Sequence, residues 1–157
     1  MRILALDLGT LTGWAYFDGT RIESGTQDFS LHRGESPGMR FVRFNAWLSG
    51  FLTCLVPGDL LAYEQAHHRG GAATEIAAGF STRVQEAASL HKLEHASIHS
   101  STLKKFATGK GNAKKPEMML TARQRWPEQR VETDDQADAL WILEWARREF
   151  SSRQGAA

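Results

Sequence analysis

The chain has 157 residues, of which 41% are hydrophobic and 24% charged, and its formal net charge is +1. This composition is typical of one globular domain with a sizeable core, and any surface that binds a polyanion must come from local clustering of charge. A single cysteine, Cys54, excludes an intrachain disulfide and a cysteine-based zinc site. Asp7 comes too early for a signal peptide and no apolar run could span a membrane, so we expect a cytoplasmic protein.

The first half of the chain predicts three strands, a helix and a fourth strand. Residues 2–8 are short and apolar, as in a buried strand. The next two strands lie on either side of a turn at Asp18-Gly19. Apolar residues then recur at helical spacing over about 37–55, and residues 59–65 (DLLAYEQ) predict the next strand.

The second half predicts more helix than strand. In order, we expect an alanine-rich helix over 72–92, a strand at about 95–99, one helical turn, a glycine- and lysine-rich loop, and helices over about 115–126 and 134–150. A hairpin meander followed by alternating helices and strands predicts an α/β fold with a mixed sheet. We therefore expect a single domain over 1–150 and a flexible tail over 151–157.

The last helix has a clear start signal. Thr133 and Gln136 fit a capping box, so the helix is predicted to begin at Asp134. The charge of Asp134 complements the positive end of the helix dipole, which is a sufficient structural reason for an acid there.

Two further acids of this helix are harder to explain by the dipole. Asp135 and Asp138 lie on the helical face that continues into Ile142 and Trp145, so they are predicted at the rim of a buried surface. An uncompensated negative pair there is unfavourable, and a bound cation offsets it. We interpret Asp138 and Asp135 as metal-binding or catalytic.

Two more carboxylates stand near the ends of apolar strands. Asp7 closes the first strand and Glu64 closes the fourth, and ligands of open α/β sheets bind beyond the carboxyl ends of strands. Four acids meeting there would suit Mg²⁺ or Mn²⁺ rather than zinc. Two such ions about 3.5–4 Å apart can promote hydrolysis of a phosphodiester.

A lysine-rich segment carries a complementary charge. Five lysines and no acid occupy residues 103–116, namely Lys104, Lys105, Lys110, Lys114 and Lys115. Such a segment can be a solvated loop, but beside a carboxylate–metal site it predicts contacts with a phosphate backbone. Lys115 opens a helix just before a proline, where its ammonium group could lie near the scissile phosphate.

Four motifs, LALDLGTLTGWA, LAYEQ, LKKFATGKGNAKK and DDQADAL, occur in this order. Together they resemble the RuvC family of Holliday junction resolvases, members of the RNase H-like superfamily, over roughly residues 2–148. The resemblance implies an RNase H-like fold with a mixed five-stranded sheet and helices on both faces. It also implies a homodimeric, Mg²⁺-dependent endonuclease that nicks two strands of like polarity across a four-way DNA junction.

The resemblance also implies roles for individual residues. Asp7, Glu64, Asp135 and Asp138 become the ligands of two Mg²⁺ ions, which Mn²⁺ could replace, and Lys115 becomes the catalytic lysine. The helix over 72–92 becomes the dimerisation helix, although its small residues would suit packing on the sheet equally well. Lys104 matches a family lysine, and together with it we expect DNA contacts from Lys105, Lys110, Lys114, Gln65, His67 and Arg69.

One departure from the family pattern follows Glu64. His67 stands where bacterial members carry an aromatic residue that stacks in the junction core, so sequence preference and strict junction selectivity stay open. The short chain suggests a bacteriophage-type member acting in the cytoplasm of a bacterial host.

Three alternatives remain beside this interpretation. A small YqgF-like nuclease of the same superfamily would act on RNA, and a branched-DNA-binding module would lack catalysis. An actin-like ATPase or sugar kinase also carries a strand-end Asp-x-Gly-Thr, but it needs a second lobe and a second phosphate loop that this chain lacks.

Overall fold

The structure, a computed structural model, describes residues 1–66 and 70–154, with side chains as far as Phe150. Its strands are β1 (Ile3–Asp7), β2 (Leu11–Phe17), β3 (Ile22–Asp28), β4 (Leu60–Glu64) and β5 (Glu94–Ile98). Its α-helices are α1 (Met39–Leu52), α2 (Ala72–His91), α3 (Ser100–Thr108), α4 (Lys115–Arg125) and α5 (Asp134–Gln154), with a 3-10 turn at Pro127–Gln129.

The five strands form one sheet in the order β3-β2-β1-β4-β5. The hairpin strands β1, β2 and β3 pair antiparallel, whereas β4 runs parallel to β1 and β5 runs parallel to β4. Parallel strands need a crossover connection, and here α1 lies between β1 and β4 and α2 between β4 and β5. The predicted mixed five-stranded sheet is therefore confirmed.

The side-chain alternation of the central strands divides the core into two layers. Ile3 and Ala5 of β1 face one cluster, which α3, α4 and α5 complete. Leu4 and Leu6 face the other cluster, built with α1 and α2. Since successive residues of a strand point to opposite faces, every side chain of β1 and β4 is assigned to one of these layers. Helices on both faces of the sheet, as predicted, follow from this division.

An aromatic cluster holds α1 and α2 together. The ring centroids of Phe44 and Phe80 lie 4.5 Å apart, and Phe29 packs on both rings at 5.4 and 5.6 Å. Gly79 of α2 is part of the same contact, because a Cβ placed on it would lie 2.6 Å from the Phe41 ring. At least this small residue of α2 therefore serves packing within the chain.

Two helices are longer than expected. The single helical turn predicted after β5 is the nine-residue helix α3, which ends at Gly109 in the left-handed region with φ of 82°. Lys104 and Lys105 therefore lie on a helix rather than in a loop. α5 continues to Gln154, so the first four residues of the predicted tail are helical.

No described helix is both long and apolar enough to cross a membrane.

Candidate active site

Asp7 and Glu64 end two adjacent parallel strands. Leu6 of β1 pairs with Tyr63 of β4, so the two acids occupy the next position along the register. Asp7 follows Ile3 and Ala5 on the face covered by α5, and Glu64 follows Leu60 and Ala62 on the same face. Neighbouring strands lie about 4.8 Å apart. The two carboxylates therefore stand side by side at the carboxyl edge of the sheet, as the sequence predicted.

The first turns of α5 bring the remaining acids to this edge. Asp7 pairs with Gly13 of β2, and a Cβ placed on Gly13 would lie only 1.8 Å from the carbonyl oxygen of Asp135. Only glycine lets the backbone of α5 approach the sheet so closely. This contact fixes the start of α5, and with it Asp135 and Asp138, next to Asp7.

Acids and lysines share one cleft. A cavity of about 370 Å³ is lined by Asp7, Glu64, Asp138, Lys104, Lys114 and Lys115. A second cavity of about 180 Å³ lies on the other side of Asp7 and Glu64, where Gln65 and the small side chains of Ala73 and Ala77 on α2 line it. The structure thus brings three of the four predicted carboxylates and three of the predicted lysines to one opening.

Burial and mutual repulsion make these acids hard to ionise. Burial, and then the charges of Asp138, Glu64 and Asp135, raise the pKa of Asp7 well above its usual range. Burial first, and next the charge of Glu64, raise the pKa of Asp138 to about 7, although Lys104 opposes the shift. Burial also raises the pKa of Asp135. The cleft therefore concentrates negative charge beyond what its own lysines neutralise.

The donor set fits a divalent cation in its chemistry. Within the described part of the chain, Asp138 Oδ1 is buried and makes no hydrogen bond, which is unfavourable unless a cation or another donor completes it. Carboxylate oxygens are the donors that Mg²⁺ and Mn²⁺ prefer. Over residues 1–66 and 70–154, however, no three carboxylate, histidine or cysteine side chains are arranged so that they could hold a metal ion. The acids share a cleft without forming a finished metal cage.

Lys115 forms an ion pair with Asp134, an acid for which the sequence indicates only a helix-dipole role. Its Nζ lies 2.5 Å from Asp134 Oδ2, and this contact raises the pKa of Lys115. The lysine is therefore a cation at neutral pH and is aimed at the start of α5. Asp134 is a residue whose part in the site was missed, and the run of acids at 134–135 opposite the lysine segment was the available signal.

The other lysines of the segment occupy different surroundings. Lys104 is partly buried in the cleft, whereas Lys105 is exposed on α3. Lys110 Nζ lies 3.6 Å from Glu117, and the backbone N–H of Lys114 donates to the same carboxylate at 2.8 Å. Glu117 therefore orders the loop that leads into α4.

Further polar residues of the site were not anticipated. Ser100, which is 8% exposed, and Asn112 both line the larger cavity. Nothing in the local pattern distinguished Ser100, which is brought in by α3. Two predicted DNA contacts, His67 and Arg69, lie outside the described residues.

The predicted capping box is half present. The backbone N–H of Gln136 donates to Thr133 Oγ1 at 3.1 Å, as expected, and the helix begins at Asp134. The Gln136 side chain does not return the bond to Thr133, however. It accepts instead from the N–H of Glu132 and reaches across to β3.

These pKa shifts predict how the stability of the metal-free protein depends on pH. An acid whose pKa is raised on folding binds its proton more tightly in the folded state, so stability is lost as pH rises from the unfolded value of about 4. With Asp138 at about 7 and Asp7 also raised, we expect the melting temperature in EDTA to fall by roughly 5–10 °C between pH 5 and pH 8. Differential scanning fluorimetry would measure it, and a flat profile would contradict the proposed repulsion.

The sheet order, the helices on both faces and the acidic carboxyl edge define an α/β protein with an RNase H-like fold. The chain superimposes on the structure of Thermus thermophilus RuvC with a TM-score of 0.71 and 21% identity, covering 100% of this chain and 98% of that one. It also matches T. thermophilus RuvC in complex with a Holliday junction substrate, with a TM-score of 0.72, 20% identity and the same coverage. The fold implied by the resemblance to the RuvC family is thus confirmed.

A more distant structure has the same core. The yeast mitochondrial Holliday junction resolvase Ydc2 matches with a TM-score of 0.54 and 12% identity, over 98% of this chain and 80% of that one. A scan of protein-family models and a search of curated proteins match nothing to the sequence. At such low identities the shared feature is the fold, and the activity has to be argued from the site.

Proposed function

We propose that this protein is an endodeoxyribonuclease that resolves four-way DNA junctions by hydrolysing phosphodiesters. The observation that carries the proposal is the cleft in which Asp7, Glu64 and Asp138 meet Lys104 and Lys115. The cleft lies in a fold shared with a RuvC protein whose structure holds a Holliday junction substrate. A cleft with acids at its base and lysines at its rim suits a phosphodiester, whose backbone needs cations and whose hydrolysis needs an activated water.

The carboxylates are proposed to act as metal ligands. Asp7, Glu64, Asp135 and Asp138 would hold two divalent cations, whose charge would offset the mutual repulsion of the acids. Bound there, Mg²⁺ or Mn²⁺ would activate a water molecule and stabilise the leaving oxygen. The buried Oδ1 of Asp138 supplies an oxygen that has no competing hydrogen bond in the described chain.

The lysines are proposed to bind and orient the DNA strand. Lys115, held by Asp134 and charged at neutral pH, can place its ammonium group against the phosphate and its developing charge. Lys104 lies deeper, where its charge partly opposes the burial and repulsion that raise the pKa of Asp138 and so favours the ionised form that a metal ligand needs. Lys105, Lys110 and Lys114 extend the positive surface for neighbouring phosphates.

A homodimer is proposed as the active form. A four-way junction has approximate twofold symmetry, so two equivalent sites can nick two strands of like polarity. The exposed face of α2 is the proposed interface, and Leu90 on this helix is 75% exposed. Three-way and flap DNA are proposed as further substrates, because the lysines of the cleft would contact a phosphate backbone rather than a base sequence.

One observation favours a second candidate, a branched-DNA-binding module without catalysis. In the described residues no three potential metal ligands are arranged to hold an ion. Such a module would keep the lysine surface and the fold, and its carboxylates would only shape the cleft.

A cleavage panel separates these functions. Four-way, three-way, flap and linear DNA and structured RNA are incubated with Mg²⁺, Mn²⁺ or Ca²⁺, and strand nicking is followed on denaturing gels. We expect paired nicks in four-way DNA with Mg²⁺ or Mn²⁺, and binding without nicking in Ca²⁺. Glu64→Gln should remove the activity, whereas the matched control Glu94→Gln, an exposed acid at the opposite edge of the sheet, should not. Tight junction binding without nicking in any metal would establish the binding module, and preferred cleavage of RNA would establish an RNA nuclease.

A further inference from the structure

Gln136 has a buried side chain that joins three other segments of the chain. It lies on the first turn of α5 between Asp135 and Asp138, and it is 5% exposed. Its Nε2 donates to Ser24 Oγ of β3 at 2.9 Å and to the carbonyl oxygen of Gln129 at 3.3 Å. Its Oε1 accepts from the backbone N–H of Glu132 at 3.0 Å. One amide thus ties the start of α5 to the edge strand and to the turn that precedes the helix.

Neighbouring polar side chains reinforce this tie. Ser24 Oγ donates to Gln129 Oε1 at 2.8 Å, and Gln129 Nε2 donates to the carbonyl oxygen of Ile22 at 2.8 Å. The hydroxyl groups of Thr26 and Thr133 hydrogen-bond at 2.8 Å. We call this group the β3 clamp; its members are Ser24, Thr26, Gln129, Thr133 and Gln136. The β3 clamp connects residues more than a hundred positions apart, and all of its side chains are neutral.

We propose that Gln136 is a positioning residue, which sets where Asp135 and Asp138 stand relative to the two strand-end acids. This inference rests on the proposed nuclease function and deepens it. The start of α5 is held from two sides, by the close approach of its backbone to Gly13 and by the β3 clamp. Both aspartates are among the first five residues of α5, so a shift of the helix start moves both together. A displacement of about 1 Å at a reacting centre can cost about 100-fold in rate.

Adhesion of α5 to the sheet does not need the amide. Ala137, Leu140 and Ile142 are completely buried and supply the apolar contact. Apolar packing is non-directional and tolerates small slides, whereas the bonds of Gln136 have fixed lengths and angles. Apolar packing therefore holds α5 on the sheet, and the β3 clamp fixes its position along the sheet.

The first test replaces the amide by a side chain of similar length. Gln136→Met is compared with Glu144→Gln, which alters an equally buried polar residue on the same helix, away from the cleft. The Glu144 carboxylate accepts a hydrogen bond from Arg148 Nε at 3.2 Å. We expect Gln136→Met to lower kcat for junction nicking by about 10- to 100-fold and to weaken Mn²⁺ binding in calorimetry of the DNA-free protein. Its junction affinity in Ca²⁺ should stay within about twofold, because the lysine surface is untouched.

The control decides between positioning and general stability. Glu144→Gln should lower the melting temperature while keeping kcat and Mn²⁺ affinity. If Gln136→Met nicks at the wild-type kcat, or if Glu144→Gln loses as much of both quantities, the positioning role is wrong. Ser24→Ala, which removes both hydrogen bonds of Ser24 Oγ at a partly buried site, gives a second measure should Gln136→Met not fold. We expect a two- to fivefold fall in kcat for it, and an unchanged kcat would overturn the proposal.

The wild-type protein separates this inference from the proposed function. Absence of nicking by the wild type would refute the nuclease itself. Wild-type nicking with unaffected variants would refute only the role of Gln136.

Discussion

Replacing Asp138 with asparagine is expected to abolish junction nicking and at the same time to raise the melting temperature of the metal-free protein. The catalytic loss, more than about 100-fold, follows because even groups that merely support metal ligands cost 10–100-fold when removed. The gain in stability follows because burial and the charge of Glu64 raise the pKa of Asp138 to about 7. An amide keeps the shape and removes a charge that the fold disfavours.

Two measurements on the same preparations test this pair of effects. Nicking is followed with Mn²⁺, and melting is followed at pH 8 in EDTA and again in Mn²⁺. We expect the ion to raise the melting temperature of the wild type and to have little effect on Asp138→Asn. A variant that nicks normally, or one that is less stable than the wild type in EDTA, would contradict the assignment of Asp138 to a strained metal-binding position.

Replacing Gly13 with alanine should damage both folding and catalysis. The new Cβ would lie 1.8 Å from the carbonyl oxygen and 2.2 Å from the carbonyl carbon of Asp135, so α5 must move away from β2. Overpacking of this kind typically lowers the free energy of unfolding by about 1–3 kcal/mol. Because the new Cβ meets rigid backbone, we expect a loss at the upper end of this range. Because Asp135 and Asp138 move with the helix, we expect nicking to fall by more than the loss of stability explains.

Gly50→Ala is the matched control for this substitution. Gly50 lies in α1, and a Cβ there meets nothing within 4 Å. In a helix interior the exchange of glycine for alanine should raise the free energy of unfolding by up to about 1 kcal/mol, and it should not change nicking. Urea unfolding gives the stability of both variants, and single-turnover nicking at a temperature where both are folded gives the catalytic effect. Equal nicking by the two variants would show that the contact of Gly13 with Asp135 is not needed for the site.

The sequence predicts the scaffold of the cleft well, because its signals are local. Asp7 and Glu64 were placed by the short apolar strands that they end, and strict alternation decides which face they occupy. Tyr63, the residue before Glu64, accordingly packs on the opposite face, in the layer of α1 and α2. Asp138 was singled out because its helical face becomes apolar, and the structure places it beside Glu64.

What the sequence could not provide are contacts between distant segments. The ion pair of Lys115 with Asp134 and the hydrogen bond of Gln136 to Ser24 cannot be predicted from neighbouring residues in the sequence. Each depends on how the helices pack on the sheet and on one another. Gly13 looked like an ordinary strand residue until the backbone of α5 was found against it. The full length of α3 is not predictable from the sequence, because its apolar positions are few and Gly109, which follows its last turn, also favours a loop.

The alternation along β1 also limits how this gene can change in length. Between Ile3 and Asp7 each side chain belongs to one of two layers, so insertion or deletion of a single codon would turn Asp7 towards the aromatic rings under α1 and α2. The same change in the connection from β3 to α1 leaves that alternation untouched. Homologues with low sequence identity to this chain should therefore keep the length of β1 unchanged, and their insertions and deletions should lie in such connections.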